Sequence, residues 1–150
     1  MFIVIIKAGI SAFLASLAFG FLFNIKGENL WLAGLVGAVG GICYKVGLYY
    51  GCSDLLANFI GAVGLSLGSE ILARVCKTPV TTFLVCALIP LVPGGGMYRT
   101  MMEAIHGDAQ AALNMGLSTI SIAGVLAIGI LLVSTIMRAY YRERRKYLKN

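Results

Sequence analysis

Ala109-Gln-Ala-Ala-Leu-Asn-Met-Gly-Leu-Ser-Thr-Ile-Ser-Ile-Ala-Gly-Val-Leu-Ala-Ile-Gly-Ile-Leu-Leu-Val-Ser-Thr-Ile-Met137 carries no charged side chain between Asp108 and Arg138. A helix of ~20 residues crosses the ~30 Å hydrocarbon core of a bilayer. This run is long enough to do so, and it has company. Toward the N-terminus, nothing charged separates Lys77 from Arg99, only Glu70 falls between Leu55 and Ala73, only Lys45 between Asn29 and Ser53, and only Lys7 between Met1 and Asn24. The chain is 59% hydrophobic and 12% charged, where a soluble domain has about a quarter of its residues charged. The reading is an all-α integral membrane protein with spans near 3–23, 30–50, 55–73, 79–98 and 114–137, forming one membrane domain, 1–150, with a basic tail, 138–150. The N-terminal run resembles a signal peptide, with Ala15-Ser16-Leu17-Ala18 as a loose cleavage site, but no basic segment precedes it, so it is read as a span.

The net charge of +6 does not point to nucleic acid, because Arg138, Arg142, Arg144, Arg145, Lys146 and Lys149 concentrate half of the twelve basic residues in the tail. A basic juxtamembrane tail orients the chain and touches lipid headgroups. Lys26, Arg74, Lys77 and the tail fall on one side of the expected bilayer. The uncharged N-terminus, the loop Gly51–Asp54 and a segment where Glu103 and Asp108 offset Arg99 fall on the other. Positive charge marks the cytoplasmic side, which sets the N-terminus outside and the C-terminus inside a prokaryotic-type cell membrane.

Span two carries Gly34, Gly37, Gly40, Gly41 and Gly47, and span three carries Ala57, Gly61, Gly64 and Gly68. Small residues three or four apart let two helix backbones approach closely in a medium that gives helices no hydrophobic drive to associate. Close packing is the first reading of this stripe, and a glycine-lined solute path the second.

Span four is interrupted by Ala87-Leu-Ile-Pro90-Leu-Val-Pro93-Gly94-Gly95-Gly96-Met-Tyr98-Arg99. Two prolines and three glycines should break the helix, ~17 Å into the span if it starts near Pro79. Unwound backbone at that depth must be buried in protein or line an aqueous cavity. Transporters use such breaks to bind solutes, with amides at the start of the second half-helix, here expected near Gly95 to Met97, facing an anion. Pro90, Pro93, Gly94, Gly95, Gly96, Tyr98 and Arg99 are therefore candidate binding residues for a small carboxylate-bearing solute, against a plain kink at the interface. Lys45 is a further candidate, with snorkelling beside Tyr49 and Tyr50 as its rival.

The remaining polar residues read more blandly. Glu70 lies four residues before Arg74, an ion-pair spacing, with proton coupling the alternative, and Lys7 reads as interfacial. His106, beside Glu103 and Asp108, is the sole histidine and cannot by itself supply a metal site. Asn24 and Asn114 read as caps or turns. Cys43, Cys52, Cys76 and Cys86 show no ligand or disulfide spacing. No cofactor, metal or catalytic motif is expected.

Leu88-Ile-Pro-Leu-Val-Pro-Gly94 followed by Tyr98, with Phe19-Gly-Phe-Leu-Phe-Asn24 and Gly37-Ala-Val-Gly40, resembles the threonine/serine exporter family, and more closely the short subunit matching its C-terminal half. The resemblance implies export of threonine and serine, or of a dicarboxylate such as succinate in split members, through alternating access with a larger subunit that brings its own five spans. It places Pro90, Pro93, Gly94 and Tyr98 at the family motif. Gly95, Gly96 and Arg99 depart from that pattern, and the added cation favours a dicarboxylate. A homo-oligomer is the other partner expected. Two alternatives remain open on the sequence: a non-transporting membrane scaffold, and a small lipid-directed enzyme with Glu70, Glu103, His106 and Asp108 as its candidates.

Overall fold

In lipid, each charge-free run must pair its backbone groups within itself, which only a helix does for a single segment. A computed structural model describes residues 2–147, and every element among them is helical. The helices are α1 (Phe2–Leu22), α2 (Glu28–Tyr49), α3 (Asp54–Val75), α4 (Val80–Leu88), α5 (Gly94–His106) and α6 (Ala109–Tyr147), with a 3-10 turn over Ile89–Leu91. Of the basic tail, Arg138 and Arg142 stand on α6, while Lys149 lies outside the described residues.

The turns follow from local chemistry. Asn24 and Lys77 take φ of 58° and 54° at the connections after α1 and α3, a left-handed conformation that asparagine tolerates better than most residues. The Ser53 hydroxyl accepts from the Leu56 amide at 3.3 Å and caps α3. Gly107 (φ 84°) closes α5, and the Asp108 carboxylate accepts from the Ala111 amide at 2.9 Å to start α6. Asn114, read from the sequence as a cap or turn, therefore sits inside α6, because Asp108 caps the helix earlier.

Four helices, α1, α2, α3 and α6, are each long and apolar enough to cross a membrane, and α4 and α5 make a bent pair with a 48° change of direction. Gly129 of α6 lies against Ala62 of α3, and the Tyr141 ring of α6 lies under Arg74 of α3. The two helices thus run parallel, which requires the intervening α4–α5 pair to carry the chain back across. The molecule is a multi-pass membrane protein whose fourth pass is broken.

The nine-residue α4 is too short to cross alone. It wedges between α2 and α3, where Phe83, Cys86 and Ala87 are wholly buried against Ala33, Val36, Ala62 and Leu65. At its end the Leu91 side chain fills the space a Cβ on Gly61 would need, so the break is held in place by a glycine on the neighbouring helix. By contrast α5 buries none of its residues and, among the described elements, packs only on α6.

Candidate functional site

The α4–α5 break opens onto a cavity of about 460 Å³. Its walls explain why it exists. From α1 come Ala8, Ser11, Ala12 and Ala15, a face of short side chains that leaves room; from α2 come Gly41, Tyr44 and Lys45; from α3, Asp54 and Asn58; from the break, Pro90, Leu91 and Pro93; and from α6, Ile122. A volume of this size lies within the range of small-molecule pockets.

The polar groups are gathered on one side. Tyr44 Oη donates to Asp54 Oδ1 at 2.8 Å. The buried Asn58 amide donates to the Asp54 carbonyl at 2.8 Å and lies 3.4 Å from Asp54 Oδ1. The carboxylate is thereby fixed by two neutral donors. Lys45 Nζ rests 5.3 Å from the centroid of the Tyr44 ring, a cation–π contact of ~0.5–1 kcal/mol, and among the described residues no carboxylate pairs with it. One cation and one anion thus face a common cavity without neutralising each other in an ion pair. Around them, apolar and small side chains leave few competing hydrogen-bond partners. Such a site can hold a solute by both ends.

The candidate residues from the sequence divide by position. Lys45, Pro90 and Pro93 are in the cavity wall. Gly94, Gly95 and Gly96 do not unwind but form the first turn of α5, directly after Pro93. Nothing lies within 4 Å of where a Cβ would sit on Gly94 or Gly95, whereas Gly96 packs on Thr119. Tyr98 and Arg99 are exposed on α5 and stand outside the wall. The packing glycines serve two neighbours. Gly34, Gly37 and Gly41 receive α1, with Ala8 O 3.2 Å from a Cβ on Gly41; Gly40 receives Leu65; Gly61, Gly64 and Gly68 of α3 receive Leu91, Cys43 and Val36. On α1 the matching row is Ala8, Ala12 and Ser16, small residues at intervals of four that the glycines alone did not mark.

Tyr44, Asp54 and Asn58 are site residues that the sequence did not single out. Asp54 and Asn58 are one helical turn apart at the start of an apolar span, which is the signal the sequence held. Away from the cavity, Glu70 Oε2 and Arg74 Nη1 pair at 2.5 Å, and His106 is exposed at the end of α5. The four cysteines are free, and no group of three potential ligands is placed to hold a metal among the described residues.

Comparison with curated proteins and with solved structures returns no match. The family model described as "Threonine/Serine exporter, ThrE" matches residues 8–136, which takes in every residue of the cavity wall. The chain, a multi-pass cell-membrane protein with a cavity at a broken span, belongs to the threonine/serine exporter family.

Proposed function

We propose that the cavity beside the α4–α5 break is the solute site of one half of an exporter, and that it takes a zwitterion of the size of threonine or serine. The observation that carries this is that Lys45 and a separately anchored Asp54 line one cavity without bonding to each other. In this reading Lys45, with the amides at the start of α5, receives the solute carboxylate, and Asp54 receives the ammonium. A dicarboxylate such as succinate fits less well, since one of its charges would meet Asp54, and Arg99, which favoured it on the sequence, stands on the exposed face of α5.

With the N-terminus outside, as the basic residues set it, the cavity faces outward and the Tyr141 end of α6 inward. Export then proceeds by alternating access, driven by an ion gradient. A larger subunit with five spans of its own completes the path. Its need is supported by α5, which has one neighbour and leaves Met97, Met101 and Ile105 exposed. A second copy of this chain is the other candidate for that surface, and a non-transporting scaffold is the alternative function.

The test is efflux of radiolabelled threonine, serine and succinate from loaded cells expressing this chain alone or with the protein encoded beside it. The proposal expects amino-acid efflux with both proteins and little with either alone. Absence of efflux in every combination, with insertion verified, would favour the scaffold.

A further inference from the structure

The row Asp54, Asn58, Ala62, Ser66, Glu70, Arg74 descends α3 at intervals of four residues, an inclined ridge that winds round the helix from Tyr44 of α2 at its Asp54 end to Tyr141 of α6 at its Arg74 end. It starts in the cavity wall and ends at the opposite end of the molecule. Asn58 and Glu70 are 5% and 2% exposed, and Ala62 and Ser66 are fully buried. Ser66 is the one member of this row whose polar side chain is buried without a partner among the described residues, a condition it shares elsewhere with Ser16 and Thr78. Its neighbour Ser69 satisfies its hydroxyl on the Leu65 carbonyl at 2.8 Å, while the Ser66 hydroxyl has no partner among the described residues. A buried hydroxyl left unpaired calls for a group that is absent from the static packing, such as a water or a passing solute.

The ridge reaches the seam between α3 and α6 at Ala62 and follows it to Arg74. Ala62 meets Gly129 there, a contact between the two smallest residues, and below it the seam is shut by a cluster. The Arg74 guanidinium bonds both the Glu70 carboxylate and the Glu70 carbonyl, and it stacks on the Tyr141 ring at 4.1 Å from its centroid. Tyr141 belongs to the part of α6 beyond the charge-free run.

We propose that the α3–α6 seam is the second half of the solute path and that Arg74 stacked on Tyr141 is the latch that closes it. The proposal rests on the alternating-access reading and specifies its inner gate. When the latch parts, the polar row of α3 becomes a wetted ladder past Ser66; when it is closed, solute reaches only the cavity at Asp54.

The test uses the full chain, carrying Cys43→Ala, Cys52→Ala, Cys76→Ala and Cys86→Ala, in right-side-out and inverted membrane vesicles. A charged, membrane-impermeant thiol reagent probes Ser66→Cys from each side, and Leu131→Cys, on the exposed face of α6, serves as the lipid-facing control. Adding Tyr141→Leu should raise labelling of Ser66→Cys from the Tyr141 side about tenfold, the factor matching loss of a partly desolvated cation–π contact. Tyr141→Trp, which strengthens the stack, should leave the rate at or below the parent's. The proposal is overturned if Tyr141→Leu leaves the Ser66→Cys rate unchanged, or if the Leu131→Cys control rises with it, since that reports a loosened bundle. Labelling is read without solute, which separates the two claims. Labelled Ser66→Cys without efflux sinks the exporter reading alone; efflux without labelling sinks the seam alone.

Discussion

At the scale of single residues, the arrangement depends on where side chains are missing as much as on where they are. A Cβ on Gly37 would fall on the Ser16 hydroxyl, with the Ala12 carbonyl 3.2 Å away. One obstacle is backbone and cannot rotate aside. Gly37→Val should therefore destabilise the α1–α2 pair by ~1–3 kcal/mol, the usual cost of overpacking, seen as an earlier unfolding midpoint in detergent. Gly124, with nothing within 4 Å of where a Cβ would point, should accept alanine with little change in the same assay. The polar residues divide in the same way. Lys45 stands out in the sequence because a lysine inside an apolar span is costly. Asp54 does not, because it sits at a span boundary where an acid is ordinary. Its role appears only when α2 and α3 fold back and bring Tyr44 within 2.8 Å of it.

At the scale of elements, the broken fourth pass is legible in the sequence and its details are not. Two prolines and three glycines signal an interruption. They place the start of the second half near Gly95 to Met97, and the helix in fact begins at Gly94, with Pro93 just before it. A helix start tolerates glycine better than a helix interior does, and at Gly96 the missing side chain leaves room against Thr119. Pro93→Ala restores an amide donor and a wider choice of φ, allowing α4 and α5 to straighten from their 48° bend. Transport through the cavity should fall while membrane insertion stays normal, and a spin-label distance across the break should lengthen. An unchanged distance would show that Leu91 seated at Gly61, and not the proline, sets the bend. The length of α6 is equally hidden. Its polar start around Asn114 and its basic end read as limits of a span, yet the Asp108 cap begins the helix earlier and the basic residues continue it to Tyr147.

At the scale of the whole molecule, charge-free runs alone are enough to define an all-helical membrane protein, because lipid leaves a single segment no other way to pair its backbone. What they do not give is which faces meet. The cavity is a product of that assembly, drawing on α1, α2, α3, the break and α6 together. Its central property is the coexistence of an anchored carboxylate and a lysine that no carboxylate among the described residues pairs with, and this yields a selectivity claim. The most direct test is efflux of radiolabelled threonine, serine and succinate through the parent and the Asp54→Asn variant, both in the combination of proteins that exports. Asp54→Asn should cut threonine and serine efflux by roughly tenfold to a hundredfold, the scale of losing a hydrogen bond to a charged group, while succinate efflux holds or rises. Threonine and serine efflux left intact by Asp54→Asn would contradict the site, and the solute would then have to be held elsewhere than at the broken span.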